Sequence, residues 1–152
     1  MVKNRLSAKG LLFLMALLPL QTTPSFSFLT GKDGSLIPLL WNQDGALGNQ
    51  QRYGHLHRTD DRGDVGAAGM TMDTAGRNYV VSDTGIQVLD QLGRVHLILK
   101  NLSEDSLSNV VFGGSNGDRL FVTSRTVVFS RKLKARGAIP WKGAVKPPDP
   151  QL

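Results

Sequence analysis

From residue 69 onward, short apolar runs alternate with turn-forming residues. Met70-Thr71-Met72 leads into Asp73-Thr74-Ala75-Gly76, and further apolar runs lie at 78–82, 86–89 and 95–99. Runs of this length, rich in β-branched and aromatic residues and bounded by Gly, Asp and Asn, are typical of strands joined by tight turns. Helical periodicity is absent. The pattern predicts four antiparallel strands between residues 69 and 99.

A second set of apolar runs repeats this scheme at 110–112, 120–123 and 127–129. Gly117 follows Gly76 by 41 residues, and the flanking runs keep the same separation. One four-stranded unit every 40 to 45 residues is the period of propeller blades. We therefore predict two four-stranded antiparallel blades, at 69–99 and 108–133, stacked through their apolar faces. A coincidental match between two ordinary β-meanders is the alternative.

The chain before residue 69 contains a weaker, partial unit. Hairpin-like turns at Lys32–Ser35 and Gln43–Ala46 flank an apolar run from Leu36 to Trp41. A polar loop follows at 60–66, and a proline-rich tail closes the sequence. The predicted organisation is a signal peptide at 1–27, a partial blade and loop at 28–68, two blades at 69–137 and an extended tail at 138–152.

The first 27 residues have the features of a secretory signal. Lys3, Arg5 and Lys9 precede an apolar run that begins at Leu11, and Ser25-Phe26-Ser27 supplies small residues at a cleavage site. The apolar run is much shorter than the roughly 20 residues that cross a bilayer. We therefore expect export to the periplasm or the medium, cleavage near Ser27 and no permanent membrane anchor.

Charge and cysteine content exclude several functions. Removing the signal leaves 15 basic and 12 acidic residues, and the late basic cluster has neither stacking aromatics nor a recognition helix, so nucleic-acid binding is not expected. The chain has no cysteine, which excludes disulfides, thiolate metal sites and a cysteine nucleophile.

The segment Gly69–Val81 resembles the family of gluconolactonase, senescence marker protein (regucalcin) and luciferin-regenerating enzyme. In that family the corresponding run is Asp-Gly-Met, a short strand, Asp-x-x-Gly and a second strand. The likeness continues through 85–95, 107–114 and 120–123, and extends more weakly to 49–57. The resemblance implies an all-β fold: part of a six-bladed β-propeller, with about two four-stranded blades plus a fragment.

The same resemblance implies a sugar-lactone hydrolase with calcium or zinc on the propeller axis, held by a Glu, an Asn and the Asp of Asp-Gly-Met. Here Ala68 occupies the position of that Asp, and the blades that carry the other two ligands are missing. Asp64 could replace the Asp only after a large loop shift. Asn109 is the candidate substrate-pocket residue, although it could equally cap its strand. We expect no metal cofactor in this chain and assign no catalytic residue.

His55 and His57 would share one face of a strand and could form a metal pair, but no third ligand has a readable spacing. Because propellers close with four to eight blades, the open sheet edges of this chain are expected to pair with a second copy or another protein. The sequence thus favours a gluconolactonase-like protein without a complete metal site. The alternative is a non-catalytic propeller fragment, acting as an association module or produced from a shortened gene.

Overall fold

The computed structural model describes residues 26–30, 33–41, 47–48, 52–59, 63–101 and 104–139. These residues form β-strands and turns and include no helix, hence none that could cross a membrane. The strands are β1 (Phe26–Thr30), β2 (Ser35–Trp41), β3 (Leu47–Gly48), β4 (Gly54–His55), β5 (Met70–Met72), β6 (Asn78–Ser82), β7 (Gly85–Leu89), β8 (Val95–Lys100), β9 (Asn109–Gly113), β10 (Arg119–Ser124) and β11 (Val127–Lys132).

The strands form three antiparallel sheets in chain order. The first sheet contains β1, β2 and β3, with β4 also paired to β2; the second has the order β5-β6-β7-β8, and the third β9-β10-β11. The four strands predicted for the first of the two C-terminal units are therefore present, and strands also form at the three apolar runs of the second. The all-β, blade-like architecture predicted from the 41-residue repeat is confirmed.

The third sheet differs from the four-stranded unit predicted for it, because only three of its strands lie in the described part of the chain. After β11 the backbone returns to the end of β5. The N–H of Thr74 donates to the carbonyl of Arg136 at 2.8 Å, and the N–H of Ala138 donates to that of Met72 at 2.9 Å. These bonds direct residues 136–138 toward the second sheet, so this segment cannot run alongside β11.

The second sheet is covered on both faces, which explains why β6 and β7 are buried at every position. On one face, Tyr79, Val81, Ile86 and Val88 pack against Leu107, Val110, Leu120 and Val122 of the third unit. The rings of Tyr79 and Phe112 meet edge to face with centroids 5.0 Å apart. On the other face, Val80 and Leu89 pack against Leu36, Leu56 and Val65. The three sheets therefore stack in sequence order, as adjacent blades do.

The N-terminal unit contains the first predicted hairpin. The carboxylate of Asp33 accepts the N–H and the hydroxyl of Ser35 at 3.0 and 2.6 Å, and Gly34 supplies the left-handed residue of the turn at φ +87°. The predicted turn at 43–46 lies outside the described residues. Strand β1 pairs antiparallel with β2, from Phe26 opposite Leu40 to Thr30 opposite Leu36. The predicted cleavage point near Ser27 therefore lies within a strand.

Candidate functional site

The two residues that the sequence placed at the propeller axis, Ala68 and Asn109, lie beside each other. The N–H of Ala68 donates to the carbonyl of Val81 at 3.1 Å, which extends the β5–β6 pairing by one residue. The next residue, Gly69, donates its N–H to the carbonyl of Ser108 at 3.2 Å. The start of β5 therefore lies against the start of β9, and these are the first strands of adjacent sheets. We call Ala68, Gly69 and Asn109 the inner edge.

Contact at the inner edge is so close that only glycine fits at residue 69. A Cβ atom there would lie 1.9 Å from Oδ1 of Asn109 and 2.8 Å from its Cα. The same Oδ1 accepts the N–H of Val110 at 2.9 Å, so Asn109 caps the start of its own strand. The half-buried Ala68 packs against the apolar cluster between the second and third sheets. The inner edge thus presents one amide and a methyl group, with no carboxylate.

The nearest carboxylate along β5 is that of Asp73, and it closes a turn. Its Oδ1 accepts the N–H groups of Ala75 and Arg77 at 2.9 and 3.0 Å. Its Oδ2 accepts the Nε–H of Arg77 at 2.6 Å and the hydroxyl of Tyr79 at 3.1 Å. The residue is only 1% exposed. Both oxygens are committed to the protein itself, which leaves Asp73 unsuited to binding a metal or activating water.

Asp90 builds the same turn between β7 and β8. Its carboxylate accepts the N–H groups of Leu92 and Arg94 at 2.9 and 3.0 Å and the Nε–H of Arg94 at 2.9 Å. Gly93 follows three residues after the aspartate, at φ +77°, as Gly76 does at φ +74° in the first turn. The motif Asp-x-x-Gly-Arg, which occurs at 73–77 and again at 90–94, is the sequence signal for this turn. The pattern of apolar strands alone does not reveal this turn. We call this arrangement the aspartate clamp.

The third sheet lacks the clamp although its turn keeps the same length. At the 41-residue spacing, Gly114 replaces the aspartate and Asp118 replaces the arginine. The N–H of Gly117 still donates to the carbonyl of Gly114 at 3.0 Å, so the backbone turn survives without a carboxylate. Asp118 instead lies 3.7 Å from the ammonium of Lys132.

Shifted pKa values follow from these turns. Burial, followed by the adjacent Asp73 carboxylate, raises the pKa of Tyr79 to about 12. The backbone N–H of Arg94 is the largest cause that lowers the pKa of Asp90, and the hydroxyl of Ser35 has that role in lowering the pKa of Asp33. Each shift is caused by the burial or the hydrogen bonds that hold the residue in place.

The two histidines do not lie on one strand. Strand β4 covers only Gly54–His55, so His57 lies outside the strand that would align the two rings. The backbone of His57 is held by the fully buried Gln87, whose Nε2 donates to the His57 carbonyl at 2.6 Å and whose Oε1 accepts the His57 N–H at 2.8 Å. Asp64 is exposed and accepts the N–H of Gly66 at 3.1 Å. Within the described ranges, no three potential metal-ligating side chains converge.

No protein-family model and no curated protein sequence matches the chain. Solved structures do match. A crystal structure of a protein assigned as a gluconolactonase aligns with 84% of this chain at 26% identity and a TM-score of 0.55. Luciferin-regenerating enzyme aligns with 66% of it at 22% identity and a TM-score of 0.50, which supports the fold alone.

The chain spans 39% and 33% of the lengths of these two proteins. Both are members of the group that the segment Gly69–Val81 resembles. The chain is a partial β-propeller similar to gluconolactonase and luciferin-regenerating enzyme.

Proposed function

We propose that this chain is a gluconolactonase-like protein that has no metal-dependent lactonase activity of its own and acts as a non-catalytic association module. The observation that carries the proposal is the composition of the inner edge. Ala68 lies where the resemblance implies a metal-binding aspartate, and its methyl group packs into the apolar cluster. A methyl group has no electron pair to donate to a metal ion.

The remaining groups at the inner edge do not fit a metal. Calcium takes six to eight oxygen ligands, and catalytic zinc needs three protein ligands plus water. The side chains described there offer one amide oxygen, that of Asn109, and it already accepts the N–H of Val110. A Lewis-acid mechanism requires a metal held in fixed geometry, so we derive no catalytic step through one.

An alternative function is lactone hydrolysis by a larger assembly in which other blades supply the missing ligands. Two observations favour it: the 26% identity to a protein assigned as a gluconolactonase, and the position of Asn109 at the start of an inner strand. In that assembly, Asn109 would contribute its amide to the axial pocket. This would require its side chain to give up the bond to Val110.

A lactone-hydrolysis assay of the purified chain separates these functions. The rate is measured with added calcium or zinc, with a chelator, and against the spontaneous rate of ring opening. We expect no acceleration under any of these conditions. We also expect Ala68→Asp to recover little activity, because one carboxylate on an open edge holds a hydrated ion loosely.

Chelator-sensitive turnover would contradict the proposal. If that turnover also fell in Asn109→Ala and persisted in Asn116→Ala, it would support the alternative, with further copies of the chain supplying the other blades. Asn116 is the matched control because it is an exposed asparagine in a turn of the same sheet.

A further inference from the structure

Strand β11 is an edge of the third sheet, since in the described part of the chain it pairs only with β10. The N–H of Leu133 donates to the carbonyl of Asp118 at 2.8 Å, which makes residues 118 and 133 a hydrogen-bonded pair. Hydrogen-bonded and non-bonded pairs alternate along an antiparallel ladder. The register therefore directs the N–H and C=O groups of Val128, Ser130 and Lys132 away from β10, toward the free edge.

An apolar cleft of about 70 Å³ lies between the outer strands of the second and third sheets. Leu99 of β8 and Phe129 of β11 line it, together with Ile86, Leu120 and Val122 from the interior strands. In the second sheet, β8 is a fourth strand added to β7, whereas the third sheet has no such strand among the described residues. The cleft is lined in part by the edge strand β11 itself, and it has room for an aliphatic side chain.

Positive charge surrounds this side of the molecule. Lys100 and Arg131 line the cleft, and both are exposed. Near this side of the molecule, Lys132 pairs with Asp118 and Arg125 with Asp105, and no ion pair among the described residues engages Lys100 or Arg131. A partner with carboxylates at matching positions would be favoured electrostatically, and a basic partner would be disfavoured.

We propose that the β11 edge binds an extended acidic peptide segment as a fourth strand, with an aliphatic residue and an acidic residue two positions apart so that both side chains lie on the face of the cleft. Main-chain hydrogen bonds to Val128, Ser130 and Lys132 give the affinity, and the cleft and its two cations select the sequence. A second copy of the chain would bring two basic edges together, so charge favours the acidic peptide. This inference rests on the proposed role as an association module and names the surface and its partner.

The test is fluorescence anisotropy of the full chain with a labelled synthetic peptide of repeating Thr-Val-Thr-Glu, in which Val and Glu lie on the same face of the strand. Saturable binding that weakens with salt is expected, whereas the peptide with Lys in place of Glu should not bind. Methylating the backbone nitrogens that face β11 should weaken binding by about tenfold or more, because it removes ladder hydrogen bonds. The methylated peptide leaves the protein unchanged, so its result does not depend on the folding of a variant.

Variants of the protein test the same contact with the peptide left unchanged. Ser130→Pro removes one N–H from the free edge while the bonds to β10 remain, so it should weaken binding, and Ser130→Ala should not. Arg131→Gln should lower affinity more than Lys134→Gln, since Lys134 lies beyond the end of β11. Far-UV circular dichroism checks that each variant keeps its sheet content.

Equal affinity for methylated and unmethylated peptides, or no binding at all, would overturn the inference. Sedimentation velocity that shows a dimer lost in Ser130→Pro would assign the edge to a second copy and would also overturn it. The lactone assay is independent of these results. If the chain neither binds the peptide nor hydrolyses the lactone, only this inference is refuted. If the chain shows metal-dependent turnover, the proposed absence of lactonase activity is refuted, whether or not the peptide binds.

Discussion

Replacing Asp73 with alanine tests whether the aspartate clamp stabilises the second sheet. The substitution removes a carboxylate that accepts four hydrogen bonds, from the N–H groups of Ala75 and Arg77, from the Arg77 guanidinium and from the Tyr79 hydroxyl. The hydroxyl lies in the buried part of this network, so water cannot easily replace the acceptor. The guanidinium is 37% exposed and can turn to solvent.

The expected loss follows from the donors that remain unpaired. A buried donor without an acceptor costs about 1–3 kcal/mol, and removing one partner of a buried ion pair costs about 3–5 kcal/mol. Because solvent reaches Arg77, we expect Asp73→Ala to lower the free energy of unfolding by about 2–5 kcal/mol. Against a typical domain stability of about 5–15 kcal/mol, such a loss is large. Asp73→Asn keeps one acceptor oxygen and should lose less.

Urea unfolding followed by circular dichroism gives these free energies by linear extrapolation. Asp90→Ala is the matched control, because it removes the same clamp from a turn whose aspartate side chain is 24% exposed and whose arginine is 72% exposed. Its loss should be the smaller of the two. If Asp90→Ala cost as much as Asp73→Ala, or more, burial would not govern the strength of the clamp and the reasoning would be refuted.

Three further predictions concern pH, packing and processing. Folding raises the pKa of Tyr79 from 10 to about 12, so the protonated hydroxyl stabilises the folded state fully below pH 10 and this contribution is lost as the pH rises through 12. Tyr79→Phe should therefore flatten the dependence of the Tm on alkaline pH, and an unchanged dependence would contradict this. A methyl group on Gly93 would lie 1.8 Å from the carbonyl oxygen of Tyr53, so Gly93→Ala should lower the Tm. Gly63 has open space around it, so Gly63→Ala should leave the Tm unchanged. Equal melting temperatures for the two variants would count against the packing of the first two sheets. Intact mass spectrometry of the exported protein should show cleavage near Ser27, and a full-length cytosolic species would contradict export.

The strands of the second and third sheets could be predicted from sequence because each carries a compact run of Val, Ile, Tyr or Phe between turn residues. Residues such as Val80 and Val81 pack in opposite directions, one into each apolar cluster, so a continuous apolar run marks a strand buried on both faces. The 41-residue spacing then indicates that the units are equivalent. Local pattern and tertiary packing agree in this part of the chain.

Other features depend on contacts between distant residues. The return of residues 136–138 to the end of β5 rests on backbone bonds to Met72 and Thr74, which no local pattern records. The closeness of Gly69 to Asn109 likewise appears only when two blades stack. The resemblance identified Ala68 as the altered position, while the hydrogen bonds of Asp73 had to be read from the structure.

Calcium binding to the purified chain tests the central claim most directly, because an axial metal is the first requirement of the chemistry that the resemblance implies. Isothermal titration calorimetry should be carried out on the wild-type protein, with Asn109→Ala and the exposed control Asn116→Ala beside it. We predict no saturable heat of binding for any of the three. Binding near one equivalent that is lost in Asn109→Ala and kept in Asn116→Ala would show that the inner edge holds a metal, and would contradict the account.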